Sequence, residues 1–234
     1  MSNYIGDELS LFEHAKNWKL YYTDILKYYI NGDVVEVGAG LGGTTIFLQN
    51  SRVKSWICIE PDSKLIEILI NKVKQNILPN FVTPINGNIN SINSLKDAFI
   101  YIDVIEHIEN DKKELKDAYD LLNKNGHILI IVPAFNFLYN DFDKSIGHFR
   151  RYTKKTISDI IPLNGKVLKI QYLDSLGFFT SLVNKYILKQ NYPKLSQILF
   201  WDKILIPFSK FFDHLFHFKF GKSLLVVIKK EDYE

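Results

Sequence analysis

The chain has 234 residues, 29 basic against 26 acidic side chains for a formal net charge of +3, and 47% hydrophobic residues. That length and apolar share suffice for one domain, 1–234, with a full core, and so small and dispersed a charge excess disfavours nucleic acid as a partner. The one cysteine, Cys58, excludes an intramolecular disulfide and, with no basic-then-apolar leader at the start, points to a reducing, cytoplasmic setting, while no run approaches the roughly 20 apolar residues of a spanning helix.

Residues 7–30 place Leu9, Phe12, Tyr22, Ile25, Leu26 and Tyr29 at helical spacing, which predicts N-terminal helices over 1–31, ended by Gly32. Apolar runs at 34–37, 54–59, 81–85, 98–104 and 127–132 then alternate with helical patterns at 44–49, 63–74 and 112–122. Strands this apolar have no solvated face, so they predict a parallel sheet covered by helices on both sides, an α/β fold. Asn125-Gly126 reads as a left-handed cap closing the 112–122 helix. Past Pro133 come an aromatic loop to Tyr152, a helix near 154–161, a strand over 166–173 and a last strand over 223–229.

The segment 174–222 is far longer than an ordinary strand connection and reads as a helical insertion. Leu205, Phe208, Phe212, Leu215 and Phe216 recur in it at helical spacing, which predicts core or a homodimer face. An acceptor lid or a peripheral lipid contact is the alternative, since Lys203, Lys210, Lys219 and Lys222 suit anionic lipid.

The chemistry-bearing motif is Gly38-x-Gly40-x-x-Gly43, entered from a buried strand and followed by a helix. Such a turn lets the backbone approach an adenosine-bearing cofactor at a strand's carboxyl end, and Glu60 closes the next strand where an acid can accept hydrogen bonds from ribose hydroxyls. A nicotinamide-dependent oxidoreductase shares that much. Glu36, two residues before the first glycine, suits a cationic amino group and disfavours an anionic pyrophosphate. Asn88 and Ile89 follow the third strand, where an amide can read an adenine edge, and the fourth strand ends in Tyr101-Ile102-Asp103-Val104-Ile105-Glu106-His107.

In these residues the chain resembles the class I, Rossmann-like S-adenosylmethionine-dependent methyltransferases. Trp18-Lys19, Glu36 to Thr44, Tyr101 to Ile108, Gly147-His148-Phe149-Arg150-Arg151-Tyr152 and Gly221-Lys222-Ser223-Leu224 are similar to a bacterial subgroup of that class. The resemblance implies a seven-stranded sheet of order 3-2-1-4-5-7-6 with an antiparallel last hairpin. It also implies S-adenosylmethionine held by Glu36, Gly38, Ala39, Gly40, Glu60, Pro61, Asn88, Ile89, Tyr101 and Asp103. The expected activity is O-methylation of a small molecule, glycan or natural product; a nicotinamide-dependent oxidoreductase or a catalytically degenerate scaffold is the alternative.

Methyl transfer is an in-line displacement that needs alignment, with a base where the acceptor is weakly acidic. His148 is the first candidate base, with Asp103 and His107 beside it, and Tyr139, Arg150, Arg151 and Tyr152 are candidates to grip the acceptor. Asp103, Glu106 and His107, with His148 as a fourth member, are similar to the divalent-metal site of ubiquinone-pathway and small-RNA 2′-O-methyltransferases. Asp103 departs from the usual Glu, and a metal-free site is preferred. His14, His127, His214 and His217 carry no partner pattern.

Overall fold

The computed structural model describes residues 8–188, 190 and 192–231, so the first residues of the expected 1–31 helical segment lie outside it. Helices α1 (Glu8–Glu13) and α2 (Lys16–Leu26) precede strand β1 (Gly32–Val37). Then follow α3 (Thr45–Leu48), β2 (Val53–Glu60), α4 (Ser63–Lys74), β3 (Val82–Asn86), β4 (Lys96–Ile102), α5 (Asp111–Asp120) and β5 (Leu122–Pro133). Helices α6 (Asp141–Ser145) and α7 (Lys154–Ser158), strand β6 (Gly165–Leu173), helices α8 (Ser175–Val183), α9 (Leu195–Phe200) and α10 (Ile206–Leu215), and strand β7 (Ser223–Lys230) complete the order.

The seven strands form one sheet in the order β3-β2-β1-β4-β5-β7-β6, with β7 antiparallel to both β5 and β6, as expected. Alternating side chains send Val34, Cys58, Ile100 and Leu129 to one face and Val35, Ile59, Tyr101 and Ile130 to the other. Helix α2 and Ile198, Trp201 and Ile206 of the insertion cover the first face; Leu115 and Ala118 of α5 and Ile157 of α7 cover the second. Both faces of the central strands are therefore buried, which is why those strands read as apolar throughout, while the edge strand β6 is only partly buried.

Several expected boundaries move: β5 starts at Leu122 rather than 127, and α7 ends at Ser158 rather than 161. Strand β4 stops at Ile102, short of 104, because Asp103 takes a left-handed φ of 55°. Helix α5 ends at Asp120, and Asn125, although left-handed at φ 63°, lies within β5 beside the register shift opposite Lys96 and Ala98, so it does not cap the helix.

The insertion is stitched to the rest of the molecule by buried carboxylates. Ala15, at the N-terminus of α2, has no side-chain cap to offer, and Asp202 supplies one across the fold by accepting from the backbone amides of Asn17 (3.1 Å) and Trp18 (2.9 Å). Asp213 accepts from the amides of Asp174 and Ser175 and from the Tyr21 hydroxyl. Asp174 accepts from Trp201 Nε1 and Ser209 Oγ. No helix among the described residues is long and apolar enough to cross a membrane.

Candidate functional site

The turn after β1 prolongs the sheet: the amides of Gly38 and Ala39 both donate to the Ile59 carbonyl. Gly38 takes φ 66°, and a Cβ there would lie 2.6 Å from Val104, so both conformation and space require glycine. Gly40, also left-handed at φ 53°, donates its amide to Glu60 Oε2 at 3.0 Å, while Glu60 Oε1 accepts from the Asp62 amide at 3.1 Å. Glu60 thereby fixes the glycine loop from the end of β2 and still has lone pairs free, since a carboxylate offers about four acceptor sites. Its burial raises the carboxyl above the usual range.

A cavity of about 1290 Å³ opens above this loop and is lined by Gly38, Ala39, Gly40, Gly43, Glu60, Pro61, Asn88, Ile89 and Asp103. Pockets that take one ligand run to roughly 300–1,000 Å³. This one exceeds that range. Helices α1 and α2 and the insertion supply other walls, among them Trp18, Lys19, Val183, Phe200 and Trp201.

Two expected cofactor residues are elsewhere. Glu36 does not line the cavity; it points to the same face as Val34, where its Oε2 accepts from Thr45 Oγ1 at 2.5 Å and Trp56 Nε1 at 3.0 Å. Burial pushes its carboxyl up to about 7. Tyr101 lies inside the opposite core face, and its hydroxyl donates to Glu114 Oε1 at 3.0 Å. Lys19, flagged in the sequence only as part of Trp18-Lys19, does line the cavity. A Cβ on Gly43 would lie 3.7 Å from its Nζ, and burial lowers its pKa to about 8 against the opposing field of Glu13.

The loop from Pro133 to Tyr152 brings a second set to the cavity. Asn140 and Asp143 form a capping box at the start of α6, and the Asp143 carboxylate, only 1% exposed, then serves two further partners. Its Oδ1 lies 2.8 Å from His148 Nδ1, and it accepts a two-pronged contact from Arg151 Nε and Nη2, each at 2.8 Å. These two partners hold its carboxyl below the ordinary range despite burial. Asp143, His148 and Arg151 all line the cavity, and Asp143 is the member that sequence reading missed.

Of the other residues expected at the acceptor, Arg150 pairs with Asp111 at 2.6 Å, Tyr152 is buried and donates to that same Asp111 at 2.7 Å, and the Tyr139 hydroxyl donates to the His148 carbonyl at 2.7 Å. None of the three lines the cavity; Arg151, between Arg150 and Tyr152, does.

Behind His148 sits Glu106, wholly buried, with neither carboxylate oxygen receiving a hydrogen bond from a described residue. Burial, and next the Asp103 charge, raise its carboxyl well above the usual range. His148 Nε2 is 3.7 Å from Glu106 Oε1, and the His107 and His148 rings meet edge-on at 4.5 Å. Burial drives the His107 pKa down to about 4. One ligand atom each of Glu106, His107 and His148 lie within 4.8 Å of one another, a donor set that fits a divalent cation; Asp103 is not in that cluster.

A seven-stranded sheet of this order, with a glycine turn and an acid at the mouth of one deep cavity, defines a Rossmann-like α/β protein of the methyltransferase type. Residues 14–165 match the family model described as a methyltransferase domain, and the chain belongs to that family. No curated protein matches it.

Among solved structures, the N-methyltransferase NodS from Bradyrhizobium japonicum, in complex with S-adenosyl-L-homocysteine, is similar at a TM-score of 0.56 and 12% identity, covering 94% of this chain and 86% of that one. An S-adenosylmethionine-dependent methyltransferase from Clostridium acetobutylicum gives 0.58 and 11%, over 93% and 92%. The cyclase SpnF gives 0.62 and 11%, over 92% and 81%. At such identities these likenesses establish the fold.

Proposed function

We propose that this chain transfers a methyl group from S-adenosylmethionine to a hydroxyl of a small molecule, glycan or natural product. The observation that carries the reading is that one cavity holds both the Gly38–Gly40 turn with Glu60 and the His148–Asp143 pair. When bound, S-adenosylmethionine supplies an electrophilic methyl group. The turn and Glu60 fit its adenosine half: Glu60 accepts from the ribose hydroxyls, while Pro61, Asn88 and Ile89 border the adenine. Lys19, whose ammonium donates to the Phe12 carbonyl at 2.6 Å, would pair with the carboxylate of its methionine half.

At the other end, Asp143 keeps a proton on His148 Nδ1, which leaves Nε2 as the basic nitrogen. His148 Nε2 would accept the proton that the acceptor hydroxyl loses on methylation and would later pass it to water. Arg151 holds Asp143 in place, and Asp103 borders the same space. Labelled S-adenosylmethionine offered with hydroxyl-bearing acceptors tests this: alkali-stable label in an ether is expected, and label found only on amines contradicts it.

A second reading is favoured by Glu106, whose buried carboxylate has no hydrogen-bond donor among the described residues. Glu106, His107 and His148 would hold a divalent cation that lowers the pKa of an acceptor hydroxyl.

A further inference from the structure

The outer face of the insertion is built unlike the rest of the surface. Ile204, Phe208, Phe211 and Leu215 recur along α10 and the turn before it at the spacing of one helical face, and they are 46, 57, 66 and 58% exposed. None of the four lines the cavity, so this exposure is to the outside. The opposite face of the same helix is fully engaged, with Ile206, Ser209 and Asp213 buried.

Alongside the stripe runs a second exposed row, Lys203, Lys210 and His214, one residue behind it in phase. Past α8's first turn, the insertion up to Lys222 contains two acidic residues, Asp202 and Asp213; both are buried and bonded to backbone amides. Its surface is therefore apolar and cationic with no exposed carboxylate of its own. Outside the insertion, Asp24 of α2 pairs with both Lys210 and Lys27.

We propose that this face of α10 docks the protein on the surface of a membrane bearing anionic lipids, with the phenylalanines in the headgroup boundary and the lysine row against the lipid charge. A helix with a wide apolar face, flanking lysines and no length to span is suited to lying in the interface plane. A second copy of the chain fits less well, since it would bring further lysines to a face that offers no exposed carboxylate of its own to meet them. Phe200, one turn before Ile204, is exposed and also lines the cavity, so docking sets the cavity wall beside the lipid.

The test is co-sedimentation of the full chain with vesicles of phosphatidylcholine alone and of phosphatidylcholine mixed with phosphatidylglycerol. Binding to the mixed vesicles is expected, weakened by salt and reduced at least about tenfold by K203E/K210E, because each lysine near an anionic surface is worth about 1 kcal/mol. F208S/F211S, which changes exposed side chains only, is expected to abolish binding while leaving the thermal unfolding midpoint in place. No sedimentation with mixed vesicles, equal sedimentation with both compositions, or undiminished binding by F208S/F211S overturns the proposal. So does a dimer in solution that F208S/F211S converts to monomer.

Discussion

His148 Nδ1 stands 2.8 Å from the Asp143 carboxylate, and Asp143 is in turn gripped by Arg151 through two nitrogens at the same distance. With Asp143 as its Nδ1 partner, the nitrogen proposed to act as base is Nε2, 3.7 Å from Glu106 Oε1. H148Q is therefore expected to lower kcat by about 10²–10⁴, the usual worth of a placed general base, with cofactor affinity unchanged. Single-turnover kinetics and calorimetry with S-adenosylhomocysteine check this; a kcat within a fewfold of the native value removes His148 from the chemistry.

Asp143 acts through His148 and Arg151 and is a positioning residue. D143N keeps the shape but leaves the Arg151 guanidinium buried without its charge partner, a change that costs about 3–5 kcal/mol where a buried pair is broken. Denaturant unfolding reads that loss directly. The kcat of the folded fraction is expected to fall as well, with KM for S-adenosylmethionine unmoved.

Lys19 is expected to hold the carboxylate end of the cofactor. A charge-assisted hydrogen bond is worth about 1.5–3 kcal/mol, so K19M should weaken S-adenosylhomocysteine binding by roughly 10- to 150-fold. Because burial lowers its pKa to about 8, native affinity should also decline as pH rises past that value and the ammonium loses its proton. Affinity that is flat from pH 7 to 9 in the native protein and equal in K19M would remove the pairing.

Glu36 links pH to stability. Its carboxyl is raised from 4.5 to about 7 in the folded chain, so the native state binds this proton more tightly than the unfolded state. That contribution is fully present below about pH 4.5 and is lost as pH rises through 7, a loss of about 3 kcal/mol. E36Q, which retains an acceptor for Thr45 and Trp56, should be more stable than the native chain at pH 8 and close to it at pH 5. Parallel stability curves for the two proteins would contradict this.

The cation reading makes a separate prediction. Metal analysis of the purified protein should find a divalent ion in near-stoichiometric amount, lost in E106Q, and exhaustive chelation should abolish turnover while leaving S-adenosylhomocysteine binding intact. Full turnover in chelator leaves His148 as an unassisted base.

The sheet was legible because its central strands are apolar on both faces, and the glycine turn because strand, glycines and Glu60 coincide. What escaped was set by direction and by distant partners. Glu36 sits in the expected acid-before-glycine pattern, yet strand alternation aligns it with Val34 and turns it from the turn's open side toward Thr45 and Trp56. Arg150, Arg151 and Tyr152 read as one gripping cluster, although Arg150 and Tyr152 are both taken up by Asp111 and only Arg151 lines the cavity. Asp143 carries no local signal beyond its capping box, since Arg151 meets it only through the fold. The left-handed turn at Asp103 that shortens β4 likewise has no composition cue.

The most direct measurement of the central claim is isothermal titration of the native chain with S-adenosylmethionine, S-adenosylhomocysteine and NAD. Micromolar binding of the first two and none of NAD is the predicted result, abolished in G40V, whose side chain cannot adopt the left-handed turn, and in E60A, which frees the loop and removes the ribose acceptor. Binding of NAD alone would make the chain an oxidoreductase; binding of none of the three would make it a scaffold.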